Sequence, residues 1–289
     1  MNPNRYLSET RTRFSKVRKH GIFESLKIAK NLLFRDFIRR IPEDTFHNIV
    51  NFRRELLGER LSNELSNTVE YGPFKGLILG ANQWGARDRA SMLLGTYELE
   101  VVEKISSLPD KYSTFVDIGA ADGFFTVGAL VSRRFDKVAC FESSEQGRNS
   151  ISSNAIVNHV HEKILILDLA DKNFVKILRD DHNLDIDTSV FLIDIEGGEL
   201  DILTPENLSI LRNSFLVVEI HEEAVDYYSR YPAFLKSASD YFDITHLTSA
   251  VRNPSLYKEI SQWTDNDRLA IFSEGRSRLM NWVVLSPKV

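Results

Sequence analysis

From residue 114 onward the chain alternates short apolar runs with helix-length polar-apolar windows. The runs fall at 115–118, 137–141, 164–167, 190–193, 215–220 and 242–247, and the intervals between the first five are long enough for a helix. Runs that are continuously apolar, rather than alternating, predict strands covered on both faces. Repeated strand-helix units predict parallel pairing. A last apolar run, 279–285, includes Trp282, Val283, Val284 and Leu285 and follows a polar stretch with no helical pattern after about Trp263, so it is expected to return antiparallel. The pattern predicts an α/β fold with a doubly wound, mostly parallel seven-stranded sheet and an antiparallel last strand.

The first 110 residues carry no such alternation. Residues 45–68 read as a helix with Leu56, Leu57, Leu61 and Leu65 on one side, and a loop punctuated by Gly72, Pro73, Gly76, Gly80 and Gly85 follows it. A second helix is predicted over 87–105, closed by Pro109 and Asp110. Further upstream, Phe23, Leu26, Ala29 or Lys30, Leu33, Phe37 and Ile41 recur at helical spacing, with Lys27, Arg35, Arg39 and Arg40 mostly off that stripe. The expected organisation is a basic helical extension over 1–70, a loop and helix covering the site over 71–112, and the α/β domain over 113–289.

Composition sharpens this picture. The chain of 289 residues is 43% apolar and 27% charged, which excludes disorder and collagen-like structure. Residues 1–60 hold 14 Lys+Arg against 7 Asp+Glu, a net of +7, while the remainder carries −12. A basic arm before an acidic body suits either docking on the body or a second subunit, or contact with an anionic membrane surface. Nucleic acid is a poor partner for the acidic body, whose aromatics are not interleaved with a basic run. A single cysteine, Cys140, in an apolar run forms no internal disulfide and suits a reducing, cytoplasmic setting. No stretch reaches the length of a membrane-spanning helix, and the first twenty positions are too polar for a signal peptide.

The candidate chemistry sits at the strand ends. The first run leads into Asp117-Ile118-Gly119-Ala120-Ala121-Asp122-Gly123 directly before a helical window. Glycines there let the backbone approach a ligand. The spacing is not that of a dinucleotide fingerprint, and the turn has acids but no Lys or Arg. A sulfonium-bearing adenosyl ligand, S-adenosylmethionine, therefore fits better than a pyrophosphate, with Asp117, Gly119, Ala120 and Gly123 as its contacts. Glu142 ends the second run, 25 positions after Asp117, where a carboxylate accepts bonds from both ribose hydroxyls. Asp168 after the third run is either an adenine contact or a surface acid that starts the next helix.

The fourth run ends in Asp194-Ile195-Glu196-Gly197-Gly198-Glu199. With the glycine turn, Glu142, the helix end at Asn154 to Asn158 and Val217-Val218-Glu219, it resembles the FkbM-like family of S-adenosylmethionine-dependent methyltransferases over about residues 113–222. Their signature after the fourth strand is Asp-hydrophobic-Glu-Gly-x-Glu. Leu192 stands where many members carry lysine. The N-terminal 110 residues, with Trp84 and Leu94-Gly95-Thr96-Tyr97-Glu98, lie outside that signature. The resemblance implies a class I, Rossmann-like methyltransferase fold and methyl transfer to a hydroxyl of a sugar, polysaccharide or secondary metabolite.

Such a reaction needs a proton acceptor near the sulfonium. His221 ranks first by its titration range, with Asp194 and Glu196 beside it and Glu219 and Glu222 near by. Asp194, Glu196, Glu219 and His221 are also the residues that would gather a divalent cation. No local ligand spacing supports one, and the alternative is that Glu196 and Glu199 brace the following turn through its amides. Acceptor contacts are expected from 70–100 and 248–278, where Arg252, Tyr257, Trp263 and Arg268 either meet the acceptor or pack a long loop. A non-catalytic scaffold that keeps the fold and uses the basic arm for a membrane or protein partner is the alternative function. A nicotinamide-dependent enzyme is remote, because the third glycine is missing.

Overall fold

A computed structural model of the chain describes residues 42–80, 85–224, 226–276 and 280–288, with five further positions (27, 30, 31, 33 and 34) in the basic arm. Those five are exposed. Phe23, Leu26, Ala29, Phe37, Ile41, Arg35, Arg39, Arg40, Trp84 and Leu279 lie outside the described residues. The chain divides into two compact units, 1–51 and 52–289, and the sheet and its cleft belong to the second. Among the described residues no helix is long and apolar enough to cross a membrane.

Seven strands form one sheet in the order β3-β2-β1-β4-β5-β7-β6. They are β1 (Thr114–Ile118), β2 (Lys137–Phe141), β3 (Ile164–Leu167), β4 (Ser189–Ile193), β5 (Phe215–Ile220), β6 (Phe242–Thr248) and β7 (Asn281–Pro287). β1 to β5 pair in parallel. β7 inserts antiparallel between β5 and β6. The predicted doubly wound, Rossmann-like sheet with an antiparallel last strand is the observed one.

The two-residue pleat sorts the strands into two cores. Phe115, Val138, Val190, Leu192, Phe215, Val217 and Val284 face one side, against Leu57 and Leu61 of α1 (Glu43–Glu64), helices α2 (Arg89–Leu93) and α3 (Leu99–Ser106), and α4 (Phe124–Val131). Val116, Ile118, Phe141, Phe191, Ile193, Leu216 and Val218 face the other. There they meet Phe174, Leu178, Leu208 and Phe234 from the crossover segments. Burial on both faces explains why these runs read as continuously apolar.

Three local expectations change. Leu56 is exposed rather than sharing the packed side of α1 with Leu57 and Leu61. The single helix expected over 87–105 is broken between α2 and α3, because Gly95 turns at φ +65° and Glu98 at φ +43°. A Cβ on Gly95 would stand 2.0 Å from the Tyr71 carbonyl oxygen, so the break seats this segment against the preceding loop. In the polar stretch before β7 a short helix, Asp265–Ile271, forms with Thr264 accepting from the Asp267 amide as its cap.

Candidate functional site

The cleft opens at the carboxyl ends of β1 and β4, where the strand order reverses direction along the chain. Its volume is about 920 Å³. One wall is the turn after β1. The Gly119 and Ala120 amides both bond the Phe141 carbonyl, and Gly119, Ala121 and Gly123 all adopt positive φ. Gly119 lies so close to the next strand end that a Cβ would stand 1.7 Å from the Asp194 carbonyl oxygen. That contact explains glycine at this position on packing as well as conformation.

Glu142 is buried at the end of β2, between that turn and α5 (Glu145–Val157). Its Oε2 accepts from the Ala121 amide at 2.9 Å and its Oε1 from the Ser144 amide at 2.8 Å. Gly147 leaves the room it needs, since a Cβ there would meet Glu142 Cγ at 2.5 Å. A carboxylate offers about four acceptor sites, so each oxygen keeps one lone pair for a ligand on the cleft side.

Asp117 projects from β1 and accepts from the Thr126 hydroxyl at 2.6 Å. Burial pushes its carboxyl up to about 7, against the opposing pull of the Thr126 bonds. Because this folded value exceeds the ordinary one, unfolding releases the Asp117 proton between pH 4 and 7, and the contribution to stability falls as pH rises through that window. Urea unfolding at pH 5 and pH 8 tests this. The wild-type protein is expected to lose more stability across that interval than Asp117→Asn, and equal losses would refute the assignment.

Asp168 is not on the cleft lining. It is exposed, held by Arg148 Nη1 at 2.8 Å, and accepts from the following Leu169 amide. Arg148 also bonds the Glu142 and Ser143 carbonyls, so the pair braces the back of the Glu142 turn. Leu169, Ala170, Asp171 and Lys172 form the cleft wall on this side.

At the opposite end of the cleft stand Asp194 and Glu196, and His221 lies buried behind them, off the cleft lining. Position 194 continues the face of Leu192 and position 221 that of Val217 and Glu219, so the pleat sends Asp194, Glu219 and His221 to one side. His221 Nδ1 bonds Glu199 Oε1 at 2.8 Å, and the same oxygen accepts from the Ile195 and Gly197 amides at 3.1 Å each. Glu199 thus braces the turn, whereas Glu196, at φ +56°, projects into solvent. His221 Nε2 faces Glu196 Oε2 at 3.4 Å and Asp194 Oδ1 at 3.8 Å.

Burial opposes charge on His221, but the bond to Glu199 and the surrounding acids outweigh it and raise its pKa. Glu199 is shifted down: burial works against its charge, and the His221 and amide bonds prevail. Asp194 is pushed well above the usual carboxylate range, by burial first and then by Glu219, Glu98 and Glu196.

Several cleft residues escape a reading of local patterns. Behind the cleft wall Arg276 joins the buried Glu98 and Glu219 and the partly buried Glu274: its Nη1 bonds Glu219 at 2.7 Å, its Nε bonds Glu274 at 2.8 Å, and its Nη2 bonds Glu98. Burial raises the Glu98 carboxyl to about 8 despite Arg276. Tyr97 and Asp88 complete this wall. Of the candidates for acceptor contact, none lines the cleft: Arg252 pairs with Glu100, Arg268 with Asp265, Tyr257 packs on Tyr71, and Trp263 is buried beneath Arg60. They pack the long segment, which was the alternative open at the sequence level.

No family model matches the chain, and no curated protein does. Among solved structures, a protein of the NADB-Rossmann superfamily from Streptococcus agalactiae is 14% identical, with 64% of this chain and 66% of that one aligned at a TM-score of 0.42. A precorrin-6y C5,15-methyltransferase from Geobacter metallireducens is 15% identical over 65% of this chain and 87% of that one, also at 0.42. TYW2 of M. jannaschii, solved in complex with AdoMet, is 14% identical over 65% and 74%, at 0.38. Likeness at this level is one of backbone course, and the chemistry of this chain is read from its own side chains.

Proposed function

We propose that the chain is an S-adenosylmethionine-dependent methyltransferase acting on a hydroxyl of a sugar, polysaccharide or secondary metabolite, as its resemblance to FkbM-like enzymes implies. The observation that carries this reading is one cleft lined at one end by a glycine turn and the buried Glu142 and at the other by Asp194 and Glu196, with His221 packed behind those two acids. Glu142 has an unused lone pair on each oxygen for the two ribose hydroxyls. The turn at Gly119, Ala120 and Gly123 brings backbone close to the ligand, and Asp117 and Asp194 line the same cleft with carboxyl groups whose ionised forms a bound sulfonium and ammonium would favour. A cleft of about 920 Å³ sits near the upper end of the roughly 300–1,000 Å³ typical of ligand pockets, leaving room for an acceptor beside the nucleoside.

The reaction asks little covalent chemistry of the protein. The acceptor oxygen, methyl carbon and sulfur must be held in line, and the hydroxyl proton must leave as the new bond forms. The positive charge of the sulfonium vanishes along the way. Asp194, Glu196 and His221 are the groups that receive or stabilise that proton, and Glu199 holds His221 with Nε2 turned to the two acids. The acid-rich lining, with Asp88, Glu98, Asp171 and Asp201 against Lys172, favours a neutral acceptor over a polyanion such as nucleic acid.

Calorimetry of the full chain with adenosylhomocysteine tests the reading first. A one-to-one complex in the micromolar range is expected, followed by transfer of labelled methyl to a hydroxyl acceptor in a glycan and metabolite screen. No heat of binding at millimolar nucleoside would overturn it.

A further inference from the structure

Three ligand-bearing side chains converge behind the cleft: Asp194, Glu219 and His221 each place one donor atom within 4.8 Å of the other two. Around an ion bound at about 2.0–2.1 Å in octahedral geometry, neighbouring donors stand about 3 Å apart and opposed donors about 4.2 Å apart, so the three side chains would close on the ion by movements of up to about 1 Å each. We propose that Asp194, Glu219 and His221 Nε2 form a binding site for a divalent cation of the Mn(II) and Mg(II) class.

Two independent features point the same way. Asp194 Oδ1 is buried and no N–H or hydroxyl donates to it; the side-chain partner of this carboxyl is Glu219, a second acid, while the rest of the side chain reaches the cleft. A buried acceptor without a donor is rare and calls for a partner. The second feature is the orientation of His221, whose side chain is only 6% exposed. Its Nδ1 is engaged by Glu199, itself fixed by two amides, so in the neutral ring with the proton on Nδ1 the lone pair of Nε2 faces Asp194 and Glu196. A carboxylate behind the distal nitrogen is the usual support of a metal-bound histidine. Glu219 contributes the oxygen that Arg276 does not hold, since Arg276 Nη1 engages Oε1.

One imidazole with two carboxylates is a mixed set in which oxygen donors predominate, suited to Mn(II) or Mg(II). Asp194 borders the cleft, so a cation held there would lie next to it on the Asp194 side. In the methyl-transfer reading, on which this role rests, the cation would bind the acceptor hydroxyl and lower its pKa. His221 would then be a ligand, and the exposed Glu196 beside it would take the proton.

The test uses chelator-treated full-length protein titrated with MnCl2 alone, without nucleoside, following the free Mn(II) signal by electron paramagnetic resonance. One site with a dissociation constant below about 0.1 mM is expected, and spin-echo spectra should show nitrogen modulation from one imidazole. Asp194→Asn and Glu219→Gln should each weaken binding at least tenfold, and Glu199→Gln by about 10–100-fold through loss of the histidine's support. Wild-type protein that binds no Mn(II) at 1 mM, or a bound ion without nitrogen modulation, overturns the site whatever the variants do. So does unchanged affinity in folded Asp194→Asn. Because nucleoside is absent, Mn(II) binding without adenosylhomocysteine binding would sink the methyltransferase reading and keep this one, and the reverse result would do the opposite.

Discussion

Replacing Glu142 with alanine is expected to weaken adenosylhomocysteine binding at least a hundredfold while the protein stays folded. Hydrogen bonds to a charged group contribute about 1.5–3 kcal/mol each, and the two ribose hydroxyls would both be donors to this carboxylate. Losing two such bonds therefore exceeds the 2.7 kcal/mol that corresponds to about a hundredfold. Some of the effect will pass through the protein, because the Ala121 and Ser144 amides lose their acceptor as well. Glu142→Gln separates the two contributions. It keeps one carbonyl oxygen and nearly the same volume, so it should preserve thermal stability better than alanine and still lose at least tenfold in affinity. Calorimetry and thermal melting of both variants check this. If Glu142→Ala binds the nucleoside as the wild type does, the cleft beside the glycine turn is not a nucleoside site.

Gly119→Ala is expected to be the most destabilising single substitution at the cleft, costing more than about 4 kcal/mol or preventing soluble expression. Two effects combine. At φ +94° any side chain meets backbone strain, on the order of 1–3 kcal/mol. In addition the new methyl would lie 1.7 Å from the Asp194 carbonyl oxygen, so β1 and β4 could not keep their spacing at the point where both deliver cleft residues. Gly76 provides an internal control. Its φ is +93°, but a Cβ there meets nothing within 4 Å. Gly76→Ala should therefore show strain alone, about 1–3 kcal/mol. Urea unfolding of the pair measures the difference. Similar losses in the two variants would show that the turn after β1 relaxes and that its tight approach to Asp194 is unimportant.

How far the site is legible in the chain depends on whether a residue's role follows from its neighbours in sequence. The strand runs, the glycine turn and the acid at the end of the second run are local patterns, whereas Asp194, Glu219 and His221 share a face only because β4 and β5 pair with Leu192 opposite Val217. The outward turn of Asp168 is different. Arg148, 20 positions earlier, draws it away from the cleft, and nothing in the third run signals that pairing. Glu98 and Arg276 are 178 positions apart and meet only because α3 and the segment before β7 both cover one end of the sheet. The break at Gly95 likewise depends on the carbonyl of Tyr71, a neighbour in space.

The amino-acid pattern by itself determined that this is a sheet buried on both faces, which strand ends carry glycine and acid, and which end of each strand would hold a ligand. Those features arise from pleat, helix period and backbone freedom, all of them short-range. Only the tertiary structure decided that Glu199 holds His221, that Arg276 gathers Glu98, Glu219 and Glu274, and that Asp194 Oδ1 is buried without a donor. Each of these is a contact between segments distant in sequence or a degree of burial, and both are set by how the covering layers close over the sheet.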